Sequence, residues 1–175
     1  MKKFIIAVAF SLISLGLSAQ DWAVGLRVGA VTEAVGQYHM GDTYIEARFG
    51  ASFVNNFMRD GWSVRPDYNT SADFTVLYNW KLMSWDWSPS VGTWFFDAGA
   101  GINVGGAEHF AYVGLAGMAR FGIEFGNAPI ALSLDWTPAI SMSMIYFNEG
   151  NQHFTEAGYN GLALANIAIT CVFYL

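Results

Sequence analysis

From residue 22 onward the chain repeats one pattern: an apolar side chain at every second position, with small or polar residues between. Period two is the spacing of a β-strand, whose successive side chains point to opposite faces. Seven segments carry it: residues 22–30, 43–51, 72–82, 94–104, 113–125, 130–136 and 165–175. An eighth, 33–40, is weaker, with Ala34, Tyr38 and Met40 opposing Glu33, Gln37 and His39. Arg27, Glu46, Arg48, Asp73, Lys81, Asp97, Arg120, Glu124 and Asp135 all fall on the polar face of their strand.

Such alternation fits two barrels, one with its apolar face inside and one with it outside. Composition favours the second. The chain is 54% hydrophobic and 17% aromatic but only 13% charged, against about 25% in an ordinary soluble domain. Trp22, Trp80, Trp94 and Trp136 share the apolar face with many Phe and Tyr rings. An eight-stranded barrel has an interior just wide enough for side chains to fill, and that much ring volume does not fit. The polar face is rich in glycine (Gly25, Gly29, Gly50, Gly99, Gly101, Gly122), which suits a narrow lumen holding long Arg and Lys chains. The expected fold is therefore all-β: a closed eight-stranded antiparallel up-and-down transmembrane barrel with a filled polar lumen. The composition excludes disorder. A formal charge of −6 and no basic cluster beyond the first residues exclude nucleic acid as a partner.

The N-terminus reads differently. Met1-Lys2-Lys3 precedes an apolar run over residues 4–17, and Leu17-Ser18-Ala19 offers a small residue at a cleavage position. This is the pattern of a secretory signal peptide over residues 1–19, leaving a barrel domain of residues 20–175. The run is too short to span a membrane as a helix. Cleavage removes Lys2 and Lys3, so the formal charge becomes 6 − 14 = −8. Cys171 is the only cysteine, which rules out an internal disulfide.

Connection lengths agree with a membrane barrel of short periplasmic turns and longer external loops. Gly41-Asp42, 83–91 and 126–129 form the shorter set. Residues 52–71, 105–112 and 137–160 alternate with them, though 139–147 also reads as an upward extension of the seventh strand. The link Val31-Thr32 is external and short. Trp22, Trp80, Trp94, Phe125 and Phe173 are expected at the periplasmic rim as an aromatic girdle, with Trp85 and Trp87 in the adjacent turn.

With signal peptide, strands and the terminal strand 165–175, the whole mature chain resembles the small eight-stranded outer-membrane β-barrel proteins of Gram-negative bacteria. The resemblance implies residence in the bacterial outer membrane and contact with its lipid. It also implies recognition of the terminal strand by the outer-membrane assembly machinery. That signal usually ends in an aromatic residue, whereas this chain ends Phe173-Tyr174-Leu175. The family includes adhesins, anchors and lipid-modifying enzymes.

Strand register follows from the turns. A four-residue hairpin at 126–129 puts Phe125 against Ile130 and Arg120 against Asp135. A loop at 105–112 puts Val104 against Val113 and Asp97 against Arg120, with Lys81 beside Asp97. The prediction is a row Lys81–Asp97–Arg120–Asp135 across four strands, in which Arg120 forks between two carboxylates. Charges in such a lumen must be paired, because desolvation costs several kcal/mol per ion.

No catalytic site, metal or cofactor is predicted. Glu108-His109 and His153, flanked by Glu149 and Glu156, lack tight ligand spacing. His39 is expected to face Tyr44 inside the barrel, but nothing brings Ser133 or Thr75 to it as a nucleophile. Phe53, Phe57, Met58 and Trp62, with Arg59 and Arg65, mark one external loop. Met142, Met144, Ile145, Tyr146 and Phe147 mark another; such apolar clusters fit either contact with an extracellular ligand or loops that pack on each other. The expected role is structural or interactive. The alternatives are a lipid acyltransferase or deacylase, or a small channel.

Overall fold

The structure, a computed structural model, describes residues 21–29, 31–52, 71–88, 91–107, 110–149 and 152–175. Residues 1–19, where the sequence leads one to expect a signal peptide, residues 53–70 and Glu108-His109 lie outside the described residues. Ten strand segments are present: β1 (Trp22–Gly29), β2 (Thr32–Met40), β3 (Thr43–Ser52), β4 (Ser71–Ser88), β5 (Gly92–Ala107), β6 (Phe110–Phe125), β7 (Ile130–Trp136), β8 (Ala139–Glu149), β9 (Gln152–Ala163) and β10 (Ile167–Tyr174).

These segments make one closed antiparallel barrel of eight staves. Each of β1 to β6 pairs with the next, β6 pairs with β7, β7 with β10, and β10 with β1. The seventh stave is β7 continued by β8, because β6 holds Trp136 opposite Ala119 and Ala139 opposite Ala116 in unbroken register. The eighth is β9 continued by β10. Cross-strand partners give the stagger. One walk from Arg27 runs through Glu33, Gly50, Asp73, Gly105 and Tyr112 to Ser143; the other runs through Thr170 to Ser133. Both end on the seventh stave, 143 − 133 = 10 residues apart. A closed sheet needs such a shear, and it tilts the strands.

Three connections are shorter than the sequence suggests. The 137–160 segment forms β8 and β9 rather than a loop. Its alternation explains this: Ile140, Met142 and Met144 face out, while Ser143 is buried. Pro138 interrupts the stave without breaking it, since its carbonyl accepts from Gly117 N at 2.8 Å. β5 and β6 extend until only residues 108 and 109 separate them. β4 runs past Leu82 to Ser88, pairing with β5 through register shifts at Lys81/Met83 and Asp86/Ser88. Trp85 therefore stands in a strand, opposite Trp94, and both rings approach Phe121, at 5.9 and 5.1 Å between centroids. Ring packing on one face holds this hairpin where Ser, Asp and Trp had read as turn. The β2–β3 turn is two residues, Gly41-Asp42, and Gly41 takes a φ of 70° that costs glycine nothing.

Side chains sort by charge in the reverse of a water-soluble core. Arg27, Glu46 and Asp135 are 0% exposed, whereas Phe49 and Leu115 are 64% exposed. Val24, Leu26 and Val28 on β1, Leu132 and Leu134 on β7, and Ile167 and Ile169 on β10 also face outward. Two small apolar clusters lie inside. One joins Ala23, Val35, Ala131 and Val172 with Phe95 and Tyr174 packed against them; the other joins Leu77, Ala116 and Met118 with Ala139.

Candidate functional site

The lumen is built around Arg120, whose five N–H donors are all used. Nε and Nη2 donate to Asp135, both at 2.8 Å. Nη1 and Nη2 donate to Glu46 at 2.7 and 3.1 Å. The remaining Nη1 proton goes to the Tyr44 hydroxyl at 3.0 Å. Only a planar guanidinium supplies two forked pairs at once.

Each carboxylate is equally saturated. Glu46 also accepts from Gln37 Nε2 and Arg48 Nε, each at 2.5 Å. Asp135 also accepts from Ser133 Oγ at 2.9 Å and Thr170 Oγ1 at 2.7 Å. Arg27 donates to Glu33 and, at 2.9 Å, to Asn166 Oδ1. Arg48 donates to Thr137 Oγ1 at 3.0 Å. Arg27 Nε and Arg48 Nη2 each lie 3.7 Å from Asp135 Oδ2. Three arginines thus face three carboxylates, Glu33, Glu46 and Asp135, and their charges cancel. The breaks at Thr137 and Asn166, joined by Thr137 N to Asn166 O at 2.8 Å, place two polar side chains where the arginines need acceptors.

The register puts Lys81 opposite Asp97, Asp97 opposite Arg120, and Arg120 opposite Asp135. The predicted fork is corrected in one arm. Arg120 grips Asp135 and Glu46, not Asp97, because the Tyr44 phenol stands between and donates to Asp97 Oδ2 at 2.8 Å. Asp73 accepts from Tyr112 and from Thr75, the latter at 3.2 Å. Lys81 and Glu124 are solvent-exposed.

Sequence reading left Glu33, Gln37, Tyr44 and Thr137 out of the charge network. Glu33 and Gln37 stood on the polar face of the weak second strand, and Tyr44 on the polar face of the third. Their parity was the available signal. Thr137 carries none, since it lies in the short interval between β7 and β8, outside the alternating segments.

The predicted aromatic residues sit toward the turn end. Trp22 opens β1, Phe125 ends β6, and Phe173 pairs with Ile130 at the start of β7. Trp94 lies near the start of β5. Trp80 does not end its strand; it pairs with Thr43 at the start of β3 while β4 continues.

A cavity of about 360 Å³ occupies the turn end of the lumen. Its walls include His39, Tyr44, Phe95, Asp97 and Tyr174, and Arg120 lies at its inner end. His39 stands opposite Tyr44 and stacks on it at 4.9 Å between ring centroids. Its Nε2 lies 3.2 Å from Gln37 Oε1. Ser133 gives its proton to Asp135 and Thr75 to Asp73, so neither hydroxyl is activated by His39. Among the described residues no group of three His, Cys, Asp or Glu side chains is arranged to hold a metal ion.

The fold and lumen define a closed β-barrel with a polar, ion-paired interior and an apolar exterior. Compared with known proteins, the chain matches no family model, no curated protein and no solved structure.

Proposed function

We infer that the chain is a non-catalytic integral outer-membrane β-barrel of a Gram-negative bacterium, exported by a signal peptide cut after Ala19. Its role on this reading is structural or loop-mediated: it stabilises the membrane, or presents its far loops to an external ligand. One observation carries the reading, the exposed apolar exterior around a core of buried ions. Water is a poor solvent for the first, and only a network of paired charges tolerates the second. Strand length supports it. β1, β2 and β3 hold 8, 9 and 10 residues, close to the 9–11 or so of a tilted membrane strand. The 18 and 16 residues of β4 and β5 leave a wall rising beyond the bilayer. Lipid is then the permanent partner, and the assembly machinery a transient one that reads β10.

The ion network also argues for a plug over a pore. Its contacts cross the lumen between facing strands, and all five donors of Arg120 are spent. Cell fractionation with heat-modifiable gel mobility tests the reading. Recovery in outer membranes with a heat-dependent shift supports it; recovery in soluble periplasm with no shift ends it. Planar-bilayer conductance then separates plug from channel, with steady single-channel currents overturning the plug.

A further inference from the structure

The cavity at the turn end has a use that the ion network does not explain. Arg120, the cation at its inner end, has no donor left for a guest. The other charged groups on its walls are Asp42, Asp97 and Glu124 against Lys81 alone. With Arg120 counted, the lining carries 3 − 2 = 1 net negative charge, and the Arg120 charge is already matched by Glu46 and Asp135. Asp97 is 3% exposed and lines the cavity. Its Oδ2 is occupied by Tyr44, but its buried Oδ1 has no hydrogen-bond partner. A buried carboxylate oxygen without a donor is rare in folded proteins. Its cross-strand neighbour Lys81 stands exposed.

We propose that this cavity binds a small aliphatic diamine, with one ammonium donating to Asp97 Oδ1. The methylene chain lies against Phe95 and Tyr174, which wall the cavity, and ring faces also attract an ammonium. The second ammonium points to Glu124 and Asp42 at the rim. The volume suits a small ligand, and the lack of a metal-holding cluster among the described residues favours an organic cation. An anion finds no free donor on Arg120 itself.

The test is calorimetric titration of the full chain, folded in detergent micelles, with cadaverine, Mg²⁺ and inorganic phosphate. Saturable one-to-one cadaverine binding is expected. Asp97→Asn weakens it about tenfold or more, the scale of a lost charged hydrogen bond, and Glu124→Gln weakens it less. Lys81→Gln strengthens it, because a competing ammonium is gone. Heat-modifiable mobility checks that Asp97→Asn is folded; the exposed Lys81 and Glu124 variants carry the test if it is not. No saturable cadaverine binding, or binding indifferent to these substitutions, overturns the proposal. So does Mg²⁺ or phosphate binding in cadaverine's place. These outcomes leave the membrane reading untouched.

Discussion

Arg48 reaches across the middle of the barrel to Asp135, Nη2 to Oδ2 at 3.7 Å. Their strands, β3 and β7, stand four places apart in a ring of eight, which is the full diameter. Glu46, on the same strand as Arg48, ties that span to Arg120 on β6. Replacing Glu46 by Leu strands two guanidinium groups and the Gln37 amide, all of them buried. The expected loss is about 3–5 kcal/mol, the usual cost of breaking a buried pair. Arg48→Leu added to Glu46→Leu costs less than the sum of the two, because the second change removes an orphan made by the first. Urea titration of the folded barrel measures both.

Asn79 is the reverse case. It is 0% exposed, and neither its Nδ2 nor its Oδ1 has a hydrogen-bond partner. A buried amide left unsatisfied costs about 1–3 kcal/mol, and leucine has nearly the same shape. Asn79→Leu is expected to raise stability by about 1 kcal/mol or more. Unchanged or lower stability in the same titration contradicts this.

Two glycines in contrasting surroundings give a paired test. A Cβ on Gly25 meets the Cys171 carbonyl oxygen at 2.0 Å, backbone that cannot step aside, whereas a Cβ on Gly36 meets nothing within 4 Å. Gly25→Ala therefore costs about 1–3 kcal/mol through overpacking, and Gly36→Ala leaves the unfolding midpoint nearly unchanged. Equal effects at the two sites refute the packing account.

Much of this barrel is legible in the sequence, and the illegible part has physical causes. Alternation identifies the strands because one face meets ions and the other does not. Hairpin spacing at 126–129 suffices to place Arg120 opposite Asp135. What alternation cannot see is reach. Arg120 turns toward Glu46 on a strand three places away, since Tyr44 fills the nearer gap to Asp97. Strand ends were also hidden. Turn-forming residues such as Ser84, Asp86 and Pro138 sit within or beside strands whose cross-strand rings and carbonyls keep them paired, through register shifts on β4.

Cys171 is the only cysteine and faces outward, exposed on β10. In vesicles, lipid is expected to shield it from a charged maleimide while a lipophilic maleimide still reacts. Unfolding in urea opens it to both. Rapid labelling of the folded, vesicle-bound protein by the charged reagent contradicts the membrane reading.

Leu134 separates lipid from water in energetic terms. It is 54% exposed on β7, flanked by Phe121 and Ile169 on the neighbouring strands. On a water-facing surface, an exposed leucine exchanged for arginine changes stability by only about ±0.5 kcal/mol. Facing the hydrocarbon, the same guanidinium costs about 2–4 kcal/mol near the midplane of a bilayer. Leu134→Arg is therefore expected to lose stability on that larger scale in vesicles. Leu134→Phe stays near the parent, since a ring keeps the surface apolar. A Leu134→Arg barrel as stable as the parent in lipid places this face in water and removes the basis for membrane residence.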